Sequence, residues 1–260
     1  MVIGDGKWSK NHQRILQESN IDQKIFDIDV TPEQMIKTGT PDAVIITAST
    51  VNHFPLSLFF MKMGIPVFCE KPICLELWQL DILSYYAKGM DSTFPIFMAG
   101  HQLTFDPTVR TLEMQKPRYF SSKRTGAIPR TEGAIMSLAV HDIAIAMRLF
   151  SHHGPYEISA TGNQHTAHAI VTWPGGCTAE FYVQSIAQVP LRHASIVTDT
   201  GSITRIDPSC WSRIDLLKAE LEHFIFCVKT KCLPSRNGLE DAIAVTDLAI
   251  KIRDTINNQQ

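Results

Sequence analysis

Near the start of the chain, Gly4-Asp5-Gly6-Lys7-Trp8-Ser9 sets two glycines one residue apart and a small residue three further on. The run follows the apolar stub Met1-Val2-Ile3 and opens a helical pattern. Glycines there permit a tight turn and a close approach of backbone to a pyrophosphate, and a helix N-terminus favours the negative charge. Ser9 replaces the third glycine of such a loop. A Gly-rich turn in an unrelated α/β fold would read the same way. A second group is Cys69-Glu70-Lys71-Pro72, at the end of an apolar run. A lysine at the carboxyl end of a strand can donate to a substrate hydroxyl or carbonyl and tune proton transfer; the bland alternative is a surface ion pair of Glu70 with Lys71. The third is His141-Asp142, within an apolar helical run that starts at Gly133. His141 acts as an acid or base near neutral pH if its helix lies beside a cleft, and is otherwise a satisfied core or surface histidine.

The elements that must position these groups alternate in the first part of the chain. Strand patterns at 25–30, 43–47, 66–70 and 94–99 are separated by helical ones at 11–19, from Thr31, at 53–63 and at 76–88. Thr31-Pro32-Glu33-Gln34 has the form of a capped helix start. Ala43-Val44-Ile45-Ile46 is apolar without alternation, as a parallel sheet covered on both faces requires. This predicts an α/β, doubly wound parallel sheet. Beyond a helix at 137–150, strand patterns at 168–173, 178–183, 194–198 and 202–206 are joined by Pro174-Gly175-Gly176 and Asp199-Thr200-Gly201, which suit hairpins. Helices at 216–229 and 239–255 follow. The second part is expected to be a smaller α+β domain with a mostly antiparallel open sheet, and the boundary falls near residue 100. Its strands carry apolar residues at both parities (Ile170 and Val171, Phe181 and Tyr182, Ile196 and Val197), so something is expected to cover the second face.

Composition narrows the partners. Lys and Arg number 24 against 26 Asp and Glu, so there is no basic excess for nucleic acid. No apolar run approaches the roughly 20 residues that span a bilayer, and the N-terminus lacks the pattern of a secretory signal. The six cysteines form no C-x-x-C pair and no disulfide framework, which points to the cytoplasm with reduced thiols. His165 and His168 would face opposite ways on a strand, and no metal site is expected.

Taken in order, these pieces resemble the glucose–fructose oxidoreductase, inositol dehydrogenase and MocA (Gfo/Idh/MocA) family. Gly4 to Ser9 with His12 looks like its opening loop, and Thr47-Ala48-Ser49-Thr50-Val51-Asn52-His53 resembles the segment beside the nicotinamide ribose. Glu70-Lys71-Pro72 matches its most recognisable tripeptide. Gly100-His101-Gln102 looks like the start of the second domain, Ser137-Leu138-Ala139-Val140-His141-Asp142 like the catalytic helix, and Glu220 to Phe224 like a C-terminal helix. The resemblance implies an NAD(P)-binding Rossmann-like domain over residues 1–100 and a substrate and oligomerisation domain over 101–260. It implies a hydride transfer between nicotinamide, NAD or NADP, and a hydroxyl or keto carbon of a sugar or nucleotide sugar. Cofactor contacts would come from Gly4, Asp5, Gly6, Lys7, Trp8, Ser9, His12, Thr47, Ala48, Ser49, His53, Glu70 and Lys71, with Asp29 or Asp27 at the adenosine ribose. Substrate would meet Lys71, His101, Gln102, Ser137 and His141, of which Lys71 and His141 are catalytic. The partner would be a second copy of the chain, in a dimer or tetramer through the second-domain sheet. The chain departs from the family in having room for one strand and one short helix before Ala43, and in Ser137 where an acid often stands. A member that binds nucleotide or sugar without turnover, or serves as a partner subunit, is the alternative.

Overall fold

The structure, a computed structural model, describes residues 1–89, 96–127, 129, 131–150, 156–206 and 213–259. It divides into two compact units, Met1–His101 with Arg213–Ile243, and Gln102–Ser212 with Ala244–Gln260.

The first unit is built on five short strands, β1 (Val2–Ile3), β2 (Ile25–Phe26), β3 (Val44–Ile46), β4 (Val67–Cys69) and β5 (Phe97–Ala99). All pair in parallel, in the order β2-β1-β3-β4-β5. Val2, Ile3, Val44, Ile46, Val67, Phe68 and Met98 are fully buried. Apolar burial without alternation is what a parallel sheet covered on both faces demands. The helices between them are α1 (Ser9–Glu18), α2 (Pro32–Lys37), α3 (His53–Lys62) and α4 (Leu77–Gly89). At α2, Gln34 rather than Glu33 completes the cap: its backbone N–H donates to Thr31 Oγ1 at 3.4 Å, and its side chain accepts from the Thr31 N–H at 3.0 Å. Phe94 and Pro95, which open the last expected strand, lie outside the described residues.

Residues 213–243, which a single cut near residue 100 assigns to the second domain, cluster with the first unit. The reason is packing. Helix α7 (Arg213–Thr230) lies against α1, and its Phe224 meets Phe68 of β4 edge-on with ring centroids 5.6 Å apart.

The second unit holds six strands, β6 (Pro117–Thr125), β7 (Glu157–Gly162), β8 (Thr166–Thr172), β9 (Thr178–Gln184), β10 (Arg192–Thr198) and β11 (Ile203–Ile206). Their order is β11-β10-β6-β9-β8-β7; β6 and β9 run parallel, and every other pair is antiparallel. Both expected turns join hairpins, with Gly176 N–H on Trp173 O and Gly201 N–H on Thr198 O. Helix α5 (Pro107–Leu112), a π-helical turn at Ile135–Ala139 and α6 (Val140–Phe150) belong here, and α8 (Leu239–Asn257) runs from the first unit's segment into the second's. The inner sheet face buries Phe120, Ala169, Val171, Phe181 and Ile196 completely. The outer face is mixed: Ile170 is 36% exposed and stands among Glu180, His168, Ser121 and Lys123. No helix among the described residues is long and apolar enough to cross a membrane. Cys69, Cys74, Cys177, Cys227 and Cys232 are free thiols.

Candidate functional site

The loop from Gly4 to Ser9 leaves β1 and enters α1. Gly4 lies at φ 103°, and a Cβ there would meet Ala48 N at 2.7 Å, so the close approach of the β1 and β3 ends requires glycine. Gly6 is different: a Cβ there has nothing within 4 Å. Its bareness answers to nothing in its own chain and suits a ligand brought close to the backbone. Ser9 is fully buried, donates to Gly4 O at 2.6 Å and accepts from Gln13 Nε2 at 3.1 Å. It ties the loop to the helix instead of merely sparing space there. Gln13 also donates to Asp5 Oδ1 at 3.0 Å, and Lys10 pairs with the same oxygen. Lys7 is exposed. The first residue of the cap, Trp8, offers no side-chain cap to α1, and the first turn holds no acid. Such a terminus presents unsatisfied N–H groups and the positive end of the helix dipole, which fits a pyrophosphate.

The opposite wall of this loop is Glu70, at the end of β4. His12 Nε2 lies 2.9 Å and Trp8 Nε1 2.7 Å from Glu70 Oε1, and both must donate, since a carboxylate only accepts. Burial pushes the Glu70 carboxyl up, but the His12 hydrogen bond and charge, the Trp8 indole and the Lys71 charge override it and hold the group at about 2. Glu70 is thus tied to His12 and Trp8, with the Lys71 charge acting on it as well. A depressed carboxyl stabilises the fold fully above its unfolded value near 4.5, and this contribution disappears as pH falls through about 2. Urea midpoints measured across that window are expected to fall more steeply for the native chain than for Glu70→Gln; equal slopes would show that the cluster contributes nothing.

His53 clamps two loops. Its Nδ1 lies 2.7 Å from Pro72 O and its Nε2 2.9 Å from Ala48 O, and the ring is 2% exposed. Burial lowers its pKa against the pull of both carbonyls. The clamp joins the ends of β3 and β4, and so fixes Lys71-Pro72, whose peptide is cis, relative to Ala48. Thr47 Oγ1 donates to Ile3 O at 3.1 Å, joining β3 to β1. Ser49 is exposed and accepts from Asn52. Beyond β2, Asp27 follows directly on Phe26, whose carbonyl accepts from the Gly4 N–H, whereas Asp29 lies two residues further into an exposed turn.

Beside Glu70 the end of β5 is built from residues far apart in sequence. A Cβ on Gly100 would stand 3.1 Å from the Glu70 carboxyl. His101 is 1% exposed, and burial together with Lys71 pushes its pKa down to about 3 against Glu70, leaving a neutral imidazole at pH 7. Asn237 Nδ2 donates to His101 O at 3.2 Å and to Glu220 Oε1 at 3.1 Å, while its own carbonyl accepts from the Ala99 N–H. Burial and then the Glu70 charge push the fully buried Glu220 carboxyl well above the ordinary range, against the hydrogen bonds from Asn237 and the His101 backbone. Asn237 was not singled out by the sequence. Its φ of 58°, in a turn between two helices, is the one local signal that asparagine there is structural.

In the second unit His141 stands in the first turn of α6, 7% exposed. The π-helical turn before it carries Ser137, whose hydroxyl donates to Gly133 O at 2.6 Å. Such turns are frequent at functional sites because they re-aim the residues after them. Asp142 is taken by Arg124 of β6 through two parallel bonds, Nε to Oδ2 at 2.9 Å and Nη2 to Oδ1 at 2.5 Å, with both side chains buried. This pair anchors the start of α6 to the sheet. Gln102 is 3% exposed in the 3₁₀ turn that precedes α5.

Residues 9–96 match the model of an oxidoreductase family with an NAD-binding Rossmann fold. Over 129 residues the chain is 29% identical to myo-inositol 2-dehydrogenase of Thermotoga maritima, a match covering 44% of this chain and 38% of that protein. It is 22% identical to scyllo-inositol 2-dehydrogenase (NAD(+)) of Bacillus subtilis across 96% of this chain and 78% of that one. The matched segment thus spans about two fifths of the Thermotoga relative's length. Among solved structures, a myo-inositol dehydrogenase from Corynebacterium glutamicum superposes with a TM-score of 0.83 at 14% identity, over 100% of this chain and 96% of that one. A UDP-N-acetylglucosamine 3-dehydrogenase from Acidithiobacillus ferrooxidans does so at 0.78 and 21% identity, over 99% and 97%. Those two likenesses establish the fold. The family match covers residues 9–96, and there the chain is similar to the NAD-binding Rossmann domain of the Gfo/Idh/MocA oxidoreductases.

Proposed function

We propose that the chain is an NAD(P)-dependent dehydrogenase that moves a hydride between nicotinamide and a hydroxyl- or keto-bearing carbon of a sugar or nucleotide sugar. The observation that carries this reading is the first unit's arrangement: a bare Gly6 at an uncapped helix N-terminus, with Glu70, tied to His12 and Trp8, and the adjoining Lys71 at the carboxyl end of a strand of the same parallel sheet. Ligands of open α/β sheets bind at those ends. The nicotinamide supplies the hydride acceptor; the protein supplies orientation and proton handling. Gly4 to Ser9 would hold the pyrophosphate, Asp27 or Asp29 the adenosine ribose, and the Thr47 to His53 segment with Glu70 the nicotinamide half. Lys71 polarises the substrate oxygen and His141 takes the hydroxyl proton as the C–H hydride leaves; the two roles are exchangeable. His101, Gln102 and Ser137 are assigned to the substrate. The test is calorimetry of the purified chain with NAD and NADP, then a turnover screen of polyols and sugar nucleotides. No binding of either cofactor would end this reading. Binding without turnover would favour the second reading, a member that holds nucleotide or sugar without reacting, which the short span of one strand and one short helix between α1 and β3 and the backbone-bonded Ser137 motivate.

The same reading includes cytoplasmic residence and assembly with a second copy through the outer face of the second unit's sheet. Ile170, Tyr182, Val197 and Ile203 give that face apolar area, and Tyr119, Glu180 and His168 a hydrogen-bonded polar centre. Light scattering at micromolar concentration is expected to show a dimer or tetramer; a clean monomer would reject this part.

A further inference from the structure

We infer that Arg192 is the anion-recognising residue of the substrate site, so that the sugar carries a carboxylate or a phosphate. This rests on the dehydrogenase reading and narrows its substrate class.

Arg192 opens β10 and is paired across the antiparallel ladder with Arg124 of β6. Residues directly opposite in a ladder project from the same face, with Cα atoms about 4.5–5.5 Å apart. Arg124 projects from the inner face onto α6, where its guanidinium is committed to both oxygens of Asp142. Asp142 follows His141 in the chain. Arg192 is therefore set on the same face, beside the start of the catalytic helix. The charges that act on it are Arg124 and Asp142, and Asp142 is already fully engaged. Among the described residues the Arg192 side chain has no hydrogen-bond or ion-pair partner, although it is half-buried.

Two like charges side by side with one carboxylate between them leave one positive charge uncompensated. Burial first, and then Arg124, disfavour the charged form of Arg192, against Asp142. A guanidinium offers five donors in a planar fork that matches a carboxylate or phosphate in bidentate fashion. A neutral polyol would leave that fork and its charge uncompensated. A uronate or the diphosphate of a nucleotide sugar would meet both needs with no movement of the sheet.

The experiment uses the full purified chain saturated with NAD. Uridine diphosphate, glucuronate and myo-inositol are titrated into the native protein, Arg192→Gln and Arg192→Lys, with circular dichroism to show that each variant is folded. The expected result is that at least one anion binds the native chain, that its affinity falls about tenfold or more in Arg192→Gln, and that Arg192→Lys recovers part of it. Binding should weaken with added salt, and myo-inositol should not distinguish the native protein from Arg192→Gln. Uridine diphosphate alone would identify the phosphate source, and glucuronate alone the carboxylate. Equal anion affinity in native and Arg192→Gln, or no binding of either anion, would overturn the inference. Failure to bind NAD would instead sink the dehydrogenase reading, while the same comparison without cofactor still decides the role of Arg192.

Discussion

Replacing Lys71 or His141 by alanine is expected to lower turnover on a confirmed substrate by about a hundredfold or more, with little change in thermal stability. The size follows from the task. Transferring the hydroxyl proton and polarising the oxygen are needed as the hydride leaves, and a positioned acid or base supplies about two to four powers of ten. The separation from stability follows from what holds the neighbourhood. The β4 end is secured by Glu70 with His12 and Trp8 and by His53 on the Ala48 and Pro72 carbonyls, none of which needs the Lys71 amine. The start of α6 is anchored by Asp142 on Arg124, which does not involve the His141 ring. Cofactor affinity should survive His141→Ala. Unchanged turnover in both variants would reject the two assignments, and a large loss of melting temperature in both would reassign them to structure.

The second large effect separates two glycines of one loop. Gly6→Val is expected to abolish NAD(P) binding while the protein melts as the native does, because a Cβ at Gly6 meets nothing in the chain and intrudes only on what is brought there. Gly4→Ala is expected to behave in the opposite sense. With φ at 103° and the Ala48 backbone 2.7 Å from the new Cβ, it should cost at least about 2 kcal/mol in stability. Calorimetry and thermal melts on both variants decide. A Gly6→Val protein that binds cofactor like the native would remove the loop from the site.

The alternation of strands and helices was legible because buried parallel strands are apolar without gaps, as in Val44 to Ile46 and Val67 to Cys69. The longest strand among the described residues, β6, carries no such pattern. Its nine residues carry Ser121, Ser122, Lys123 and Arg124, yet it stands in mid-sheet, and Arg124 meets the carboxylate of Asp142, eighteen residues on. No local pattern announces such a pairing. The apolar residues at both parities were read correctly as residues, but only one parity is dry: Val171 and Phe181 are fully buried, while Ile170 shares its face with charges. At the site, the motif residues were visible from type and spacing. Their supports were not. Ser9 replaces a glycine and ties the loop by its hydroxyl, and the Glu220–Asn237–His101 contacts join segments more than a hundred residues apart.

The return of α7 to the first unit has a bearing on synthesis. When the ribosome has released β1 to β5, Phe68 still lacks the ring that covers it, and the β5 end lacks the Asn237 carbonyl that receives the Ala99 N–H. Both arrive only after the whole of residues 102–212 has emerged. The nascent first unit therefore waits, with apolar surface uncovered, for the rest of the chain, which is the state that exposes a polypeptide to chaperones and to aggregation. A premature stop anywhere before residue 213 removes not a separable tail but a wall of the first unit's own core.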